Sequence, residues 1–155
     1  MKSIPTLAAL AVAVLGSTVA APAADNGMKG GAMMNHAMVA NHIVVKLNPV
    51  GGSGESGTAT FTRDPEGQGT MVTLALHGGS AAPQPSHIHL GTCGSNGPIK
   101  WPLKPVVAGR SATMVLATIP VIMSSGAYIN VHKSPKELAN IVSCGNVPKV
   151  SKGAM

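Results

Sequence analysis

The chain has 155 residues, a formal net charge of +6 and only three aromatic residues, Phe61, Trp101 and Tyr128. The lysines are scattered singly, without runs or interleaved aromatics, which excludes an ordinary nucleic-acid footprint, and the length allows one domain with one modest aliphatic core. Lys2, the apolar run Leu7–Leu15 and the small-x-small site Ala21-Pro22-Ala23 predict a secretory signal peptide over 1–23. An uncleaved anchor is the alternative; no other segment approaches the length of a membrane span. Residues 24–40 are low in complexity and lack strand or helix period, predicting a flexible leader with Met28, Met33, Met34, His36 and Met38. The predicted domain covers 41–150, followed by a tail at 151–155. His42–Leu47 alternates apolar and polar residues, and Thr58–Arg63 follows a Pro/Gly/Ser turn, predicting a hairpin. Thr70–Leu76 alternates again and ends at His77. A short strand, Ser86–Leu90, carries His87 and His89, and the Gly-rich stretch after it holds Cys93. Ser111–Ile119 and Gly126–His132 are further strand candidates. Ser134-Pro135-Lys136-Glu137 predicts a short helix near the C-terminus, with Ser134 as cap, Pro135 at the first position and Glu137 completing a capping box. Cys144–Val147 is the predicted last strand. Many short strands at regular spacing predict an all-β Greek-key sandwich or barrel.

His87-Ile88-His89 is the most informative tripeptide. In a strand, residues two apart point to one face, with backbones about 7 Å apart, so two imidazoles can converge on one ion. In Gly126–His132, Ile129 and Val131 point one way and Tyr128, Asn130 and His132 the other. If the two strands are neighbours, three imidazoles meet, a donor set that suits copper or zinc. The two cysteines, Cys93 and Cys144, read as a disulfide in an exported chain, with a pair of metal-ligand thiolates as the alternative.

These motifs together resemble the copper, zinc superoxide dismutase family. That family has a His-x-His strand, a disulfide cysteine in the next loop, a Gly-x5-His segment and a late Cys-Gly. Here these are His87-Ile88-His89, Cys93, Gly126 to His132, and Cys144-Gly145. The chain also resembles the related CHRD domains, through His87 to Gly91 and the Tyr128-Ile129-Asn130-Val131-His132 strand. The resemblance spans roughly residues 41–148. It implies a Greek-key β-barrel, copper at His87, His89 and His132, and a Cys93–Cys144 bridge.

The departures from the dismutase pattern narrow the function. Between His89 and His132 there is no His, Asp or Glu, so a family-type zinc site is not expected. The family's anion-docking arginine, three residues before the second cysteine, is replaced by Ile141. The methionines of the leader are soft ligands suited to Cu(I). Met28, Met33, Met34, His36, Met38 and His42 thus form a candidate capture segment, and His77 is a further candidate accessory ligand.

Three functions compete on this sequence. The first is a periplasmic or secreted copper-binding protein that sequesters copper or exchanges it with a periplasmic donor or acceptor. The second is an enzyme, a copper-only superoxide dismutase. The third is a CHRD-like structural module without metal.

Overall fold

The computed structural model of the protein describes residues 41–150. The expected signal peptide (1–23), Met/His leader (24–40) and C-terminal tail (151–155) lie outside the described residues. Eight antiparallel strands make up almost all of the fold: β1 (His42–Pro49), β2 (Ser56–Arg63), β3 (Thr70–His77), β4 (Gln84–Leu90), β5 (Ile99–Val106), β6 (Arg110–Val115), β7 (Ala127–His132) and β8 (Ile141–Asn146). One short helix, α1 (Ile119–Ser124), precedes β7. The strands form a single sheet in the order β5-β4-β7-β8-β1-β2-β3-β6.

The sheet curls until its two edge strands meet. Lys104 N–H donates to Thr113 Oγ1 at 2.8 Å and Ser111 Oγ donates to the Lys104 carbonyl at 2.7 Å. Val107 and Arg110 pair across the tight β5–β6 turn, which uses Ala108 and Gly109 at positive φ. The result is an all-β, nearly closed barrel.

Alternation decides which side chains enter the barrel. Val45 and Leu47, Ala59 and Phe61, Val72 and Leu74, Ile88, Ile129 and Val131 point inward and form one core with Ile119 and Ile122 of α1. Near the start of β4 the interior holds a polar pair, in which Gln84 Nε2 donates to both carboxylate oxygens of Glu55 at 3.1 and 2.8 Å.

Two expectations are corrected. Ser134–Glu137 does not start a helix: the residues form turns, in which Glu137 N–H donates to the Ser134 carbonyl. The Glu137 carboxylate accepts from Lys133, Asn140 and Ser134 Oγ, and so stabilises a compact loop. The one helix among the described residues instead follows β6, where Pro120 sits in its first turn and Thr118 makes no side-chain cap bond. It takes up the end of the predicted Ser111–Ile119 strand. The strand β5, absent from the sequence reading, contains Pro102 and Pro105. Proline cannot donate to a ladder and is tolerated because β5 lies at the edge of the sheet.

A disulfide joins Cys93 to Cys144, with α-carbons 6.0 Å apart and a sequence separation of 51. The thiolate alternative is thereby removed. Among the described residues, no helix is long and apolar enough to cross a membrane.

Candidate metal centre

β4 and β7 are direct neighbours, with His87 opposite Asn130 and His89 opposite Tyr128. Because side chains alternate, His87, His89, Tyr128, Asn130 and His132 share the outward face, opposite to Ile88, Ile129 and Val131 in the core. An outward face is normally wet, yet all of β7 is buried. Two segments shield it. The stretch 91–98 is tied down by the disulfide and by Gly97 N–H donating to Tyr128 OH at 3.2 Å. The stretch 133–140 brings the Leu138 backbone to the His132 ring.

The three histidines form one group, with one ring nitrogen from each lying within 4.8 Å of the others. His87 Nδ1 and His132 Nε2 are 3.1 Å apart. Two nitrogens held at 2.0–2.1 Å by one ion subtend about 2.9–3.4 Å, so this spacing fits a shared metal. The ring centroids are separated by 5.6 Å for His87–His89, 5.1 Å for His87–His132 and 6.4 Å for His89–His132. Register irregularities fall at Ile88/His89 and at Val131/His132. Such bulges re-aim side chains, and here they occur at two of the three histidines.

His89 has a fixed tautomer. Its Nδ1 lies 2.7 Å from the Gly97 carbonyl, which can only accept, so Nδ1 carries the proton. Nε2 is then a bare lone pair, and it is buried with no partner. Holding one ring nitrogen on a carbonyl to orient the other is how proteins prepare a metal-ligating histidine. The His89 ring also stacks on Tyr128 at 5.1 Å. Gly97 is required sterically, since a side chain there would run into the Leu90 carbonyl.

The electrostatics favour neutral imidazoles. Burial, then the like charges of His132 and His89, push the His87 pKa down to about 4. Burial also lowers the pKa of His132; the Leu138 backbone opposes this and His89 adds to it. The Leu138 contact falls short of hydrogen-bond geometry, since His132 Nδ1 is buried without a partner. The unpartnered, buried Nε2 of His89, the close approach of His87 Nδ1 to His132 Nε2, and the absence of any carboxylate or thiolate in the group make a donor set that fits a metal ion bound by nitrogen.

The family model for the CHRD domain matches residues 11–137, most of the chain. The protein belongs to the CHRD domain family. All three histidines and Cys93 fall inside the matched stretch of the CHRD domain, while Cys144 follows it. No curated protein matches the chain in sequence.

The other sequence candidates are placed apart from the centre or lie outside the described residues. His42 is exposed at the start of β1, opposite Thr62, and His77 is exposed at the end of β3, opposite Ser56. Neither joins the three-histidine group. Met28, Met33, Met34, His36 and Met38 lie outside the described residues. Sequence reasoning missed Gly97 and β5, and it placed Asn130 on the face of His132 without giving it a role. Asn130 is buried on the site face between His87 and Cys144, with Oδ1 unpartnered. β5 sets Pro102 beside His87 and Ile99 beside His89.

Proposed function

We propose that this CHRD domain is an exported copper-binding protein, periplasmic or secreted, which sequesters copper or exchanges it with a donor or acceptor in the same compartment. The observation that carries this reading is the convergence of His87, His89 and His132, with the His89 tautomer set by Gly97. His87 Nδ1, His89 Nε2 and His132 Nε2 are the nitrogens that would hold the ion. A bound copper supplies one-electron redox chemistry; the protein supplies a rigid three-nitrogen cradle on two adjacent strands. Zinc accepts the same nitrogens. Copper is favoured by the Met-rich stretch at 28–38, whose thioethers suit Cu(I), and no separate zinc site is proposed.

Kinship with the superoxide dismutase barrel is part of this reading. The crossover of β3 to pair with β6, and the contacts of Lys104 on β5 with Ser111 and Thr113 on β6, are compatible with a Greek-key connection. The Cys93–Cys144 bridge agrees with export to an oxidising compartment.

Binding is favoured over dismutation by the surroundings of His132. Ile141 lies opposite His132 on β8, and it is the residue three before the second cysteine, where the resemblance to the dismutases would put their anion-docking arginine. The nearest cation in sequence, Lys133, is engaged by Glu137 at 2.9 Å. Metal analysis of protein purified from the export compartment tests the proposal. One equivalent of copper, lost in His87→Ala and in His132→Ala, is expected, with little superoxide turnover. Stoichiometric zinc without copper contradicts it, and near-diffusion-limited superoxide removal makes the protein an enzyme instead.

A further inference from the structure

Four buried polar side-chain atoms among the described residues lack a hydrogen-bond partner: Gln84 Oε1, His89 Nε2, Asn130 Oδ1 and His132 Nδ1. Gln84 belongs to the polar pair inside the barrel, and the other three share the outward face of β4 and β7. Folded proteins leave few such atoms unpaired, because a buried acceptor without a donor loses its hydration and gains nothing in its place. His89 Nε2 is already assigned to the ion, and the Leu138 backbone lies beside the His132 ring. Asn130 Oδ1 is left without a role.

Its position in the ladder puts Asn130 at the centre of the site face. It is paired with His87 across the β4–β7 register, and His132 follows it at the next same-face position of β7. His89, paired with Tyr128, is its diagonal neighbour on β4. Side chains directly opposite have β-carbons about 4.5–5.5 Å apart, and diagonal or same-strand neighbours lie about 7–8 Å away. Tyr128, the other residue on this face of β7, lies four positions from His132, so Asn130 alone adjoins all three histidines.

The reach of the side chain also matches. His87 meets His132 Nε2 through Nδ1, its near ring nitrogen. Asn130 Oδ1 stands at the same bonded distance from its β-carbon as that Nδ1 does, so the two atoms reach equally far above the sheet from neighbouring positions. On its other side Asn130 is paired with Cys144. Cys144 is half of a disulfide and has no hydrogen to donate. Asn130 is only 2% exposed, so bulk water does not satisfy Oδ1 either. A cation on the histidine side does.

We propose that Asn130 Oδ1 is the fourth donor of the site, giving a set of three nitrogens and one oxygen that favours Cu(II). The inference rests on the copper reading of the three histidines and adds to it a ligand and a preferred oxidation state. A carboxamide oxygen is a hard, neutral donor. Mixed nitrogen and oxygen sets suit Cu(II), whereas Cu(I) prefers soft sulfur and gains little from such an oxygen.

Electron–nuclear double resonance on the Cu(II)-loaded exported chain, labelled with carbon-13 at the asparagine carboxamide carbon, tests the assignment. A carbon-13 coupling beside those of the imidazole nitrogens is expected, and it should vanish in Asn130→Leu, which keeps the volume. Competition titrations with copper chelators should show Cu(II) affinity in Asn130→Leu lowered at least about tenfold, the lower end of what loss of even an orienting partner costs. Cu(I) affinity should be unchanged, and Asn130→Asp, which keeps an oxygen at the same place, should retain Cu(II). The urea midpoint of metal-free Asn130→Leu should not fall, because the substitution removes an unpaired buried acceptor. Copper coupled to nitrogen without a carboxamide carbon in the unsubstituted chain overturns the Asn130 inference and leaves the three-histidine site standing. Equal losses of Cu(I) and Cu(II) affinity, or a lowered midpoint in the metal-free variant, show a merely structural asparagine and overturn it as well. Failure of the unsubstituted chain to bind copper overturns both readings.

Discussion

Replacing both Cys93 and Cys144 with alanine removes a crosslink that closes a loop spanning 51 residues of sequence separation. In the chain-entropy description, that loop lowers the entropy of the unfolded chain enough to stabilise the fold by about 4 kcal/mol. Domains of this size are stable by only about 5–15 kcal/mol, so the loss is a large fraction of the total. Alanine is the appropriate replacement because Cys144 is buried and a serine there would add an unpaired hydroxyl. With a urea m-value on the order of 2 kcal/mol/M, the unfolding midpoint of the metal-free protein should fall by about 2 M. A second effect reaches the proposed metal centre. The bridge pins the stretch 91–98, whose Gly97 carbonyl orients His89. That stretch keeps other ties, Cys93 N–H to Asn146 Oδ1 and Gly91 N–H to the Gly126 carbonyl, both at 2.7 Å. The loop therefore loosens without leaving, and copper affinity should fall about tenfold, the lower end of what loss of an orienting partner costs. Equilibrium urea unfolding and a competition titration with a copper chelator read the two effects separately. A midpoint shift below about 0.5 M would refute the entropic estimate. Unchanged affinity despite lowered stability would refute the link from the bridge through Gly97 to His89.

Other perturbations follow from the same geometry. Gly97→Ala forces a methyl group into the Leu90 carbonyl, which should displace the carbonyl that holds His89 and lower copper affinity about 10–100-fold in a chelator titration. His132→Ala removes one of three nitrogens and should abolish stoichiometric copper, read by metal analysis after dialysis, while circular dichroism still reports a folded barrel. The stability of the metal-free protein should depend on pH between about 6.5 and 4. His87 has its pKa lowered to about 4 in the fold, so the unfolded chain takes up the proton first. Stability is full above about pH 6.5 and is lost as pH falls toward 4, by an amount on the order of 1–2 kcal/mol once the ring's partial exposure is discounted. His132 shifts in the same direction; urea midpoints that are flat across this window would contradict both. Phe61 is fully buried, and Phe61→Ala should cost about 3–5 kcal/mol in the same unfolding assay.

Most of the strands were legible because alternation of Val, Ile, Leu and Thr against polar residues is a local signal. The centre was legible for the same reason. His87 and His89 share a face by their spacing, and the Ile129/Val131 alternation places His132 on the face away from the core. What no local pattern carries is the neighbour relation of β4 and β7, thirty-six residues apart between Leu90 and Ala127. It entered the sequence reading as a condition and was supplied by the fold. β5 was hidden because Pro102 and Pro105 argue against a strand, although an edge position tolerates them. The capping-box pattern at Ser134–Glu137 misled because its groups also satisfy a turn. Glu137 binds Lys133, and that pair with neighbouring hydrogen bonds holds its carboxyl below the usual range. Gly97 could not be picked out among the glycines of its loop, since its importance depends on where the Leu90 and His89 groups lie in space.

The position of the three histidines on the outside of the barrel bears on what such a site can do. Inward positions carry the aliphatic core, and placing imidazoles there would bury polar groups at a cost of stability. On the outward face of two neighbouring strands, the ligands take their spacing from a hydrogen-bonded ladder while the core stays intact. The covering segments then set access and electrostatics. In one of them, 91–98, the covering backbone orients a ligand. In the other, 133–140, a lysine is tied to a glutamate, and the strand that follows begins with the apolar Ile141. A dismutase needs that second segment to present a free, fixed cation to an incoming anion, because steering and orientation supply a large part of its rate. A carrier needs instead a rigid donor set and a soft, apolar rim over which a ligand can be exchanged. Under the proposed function, the pairing of Lys133 with Glu137 and the apolar Ile141 beside His132 suit the second requirement better than the first.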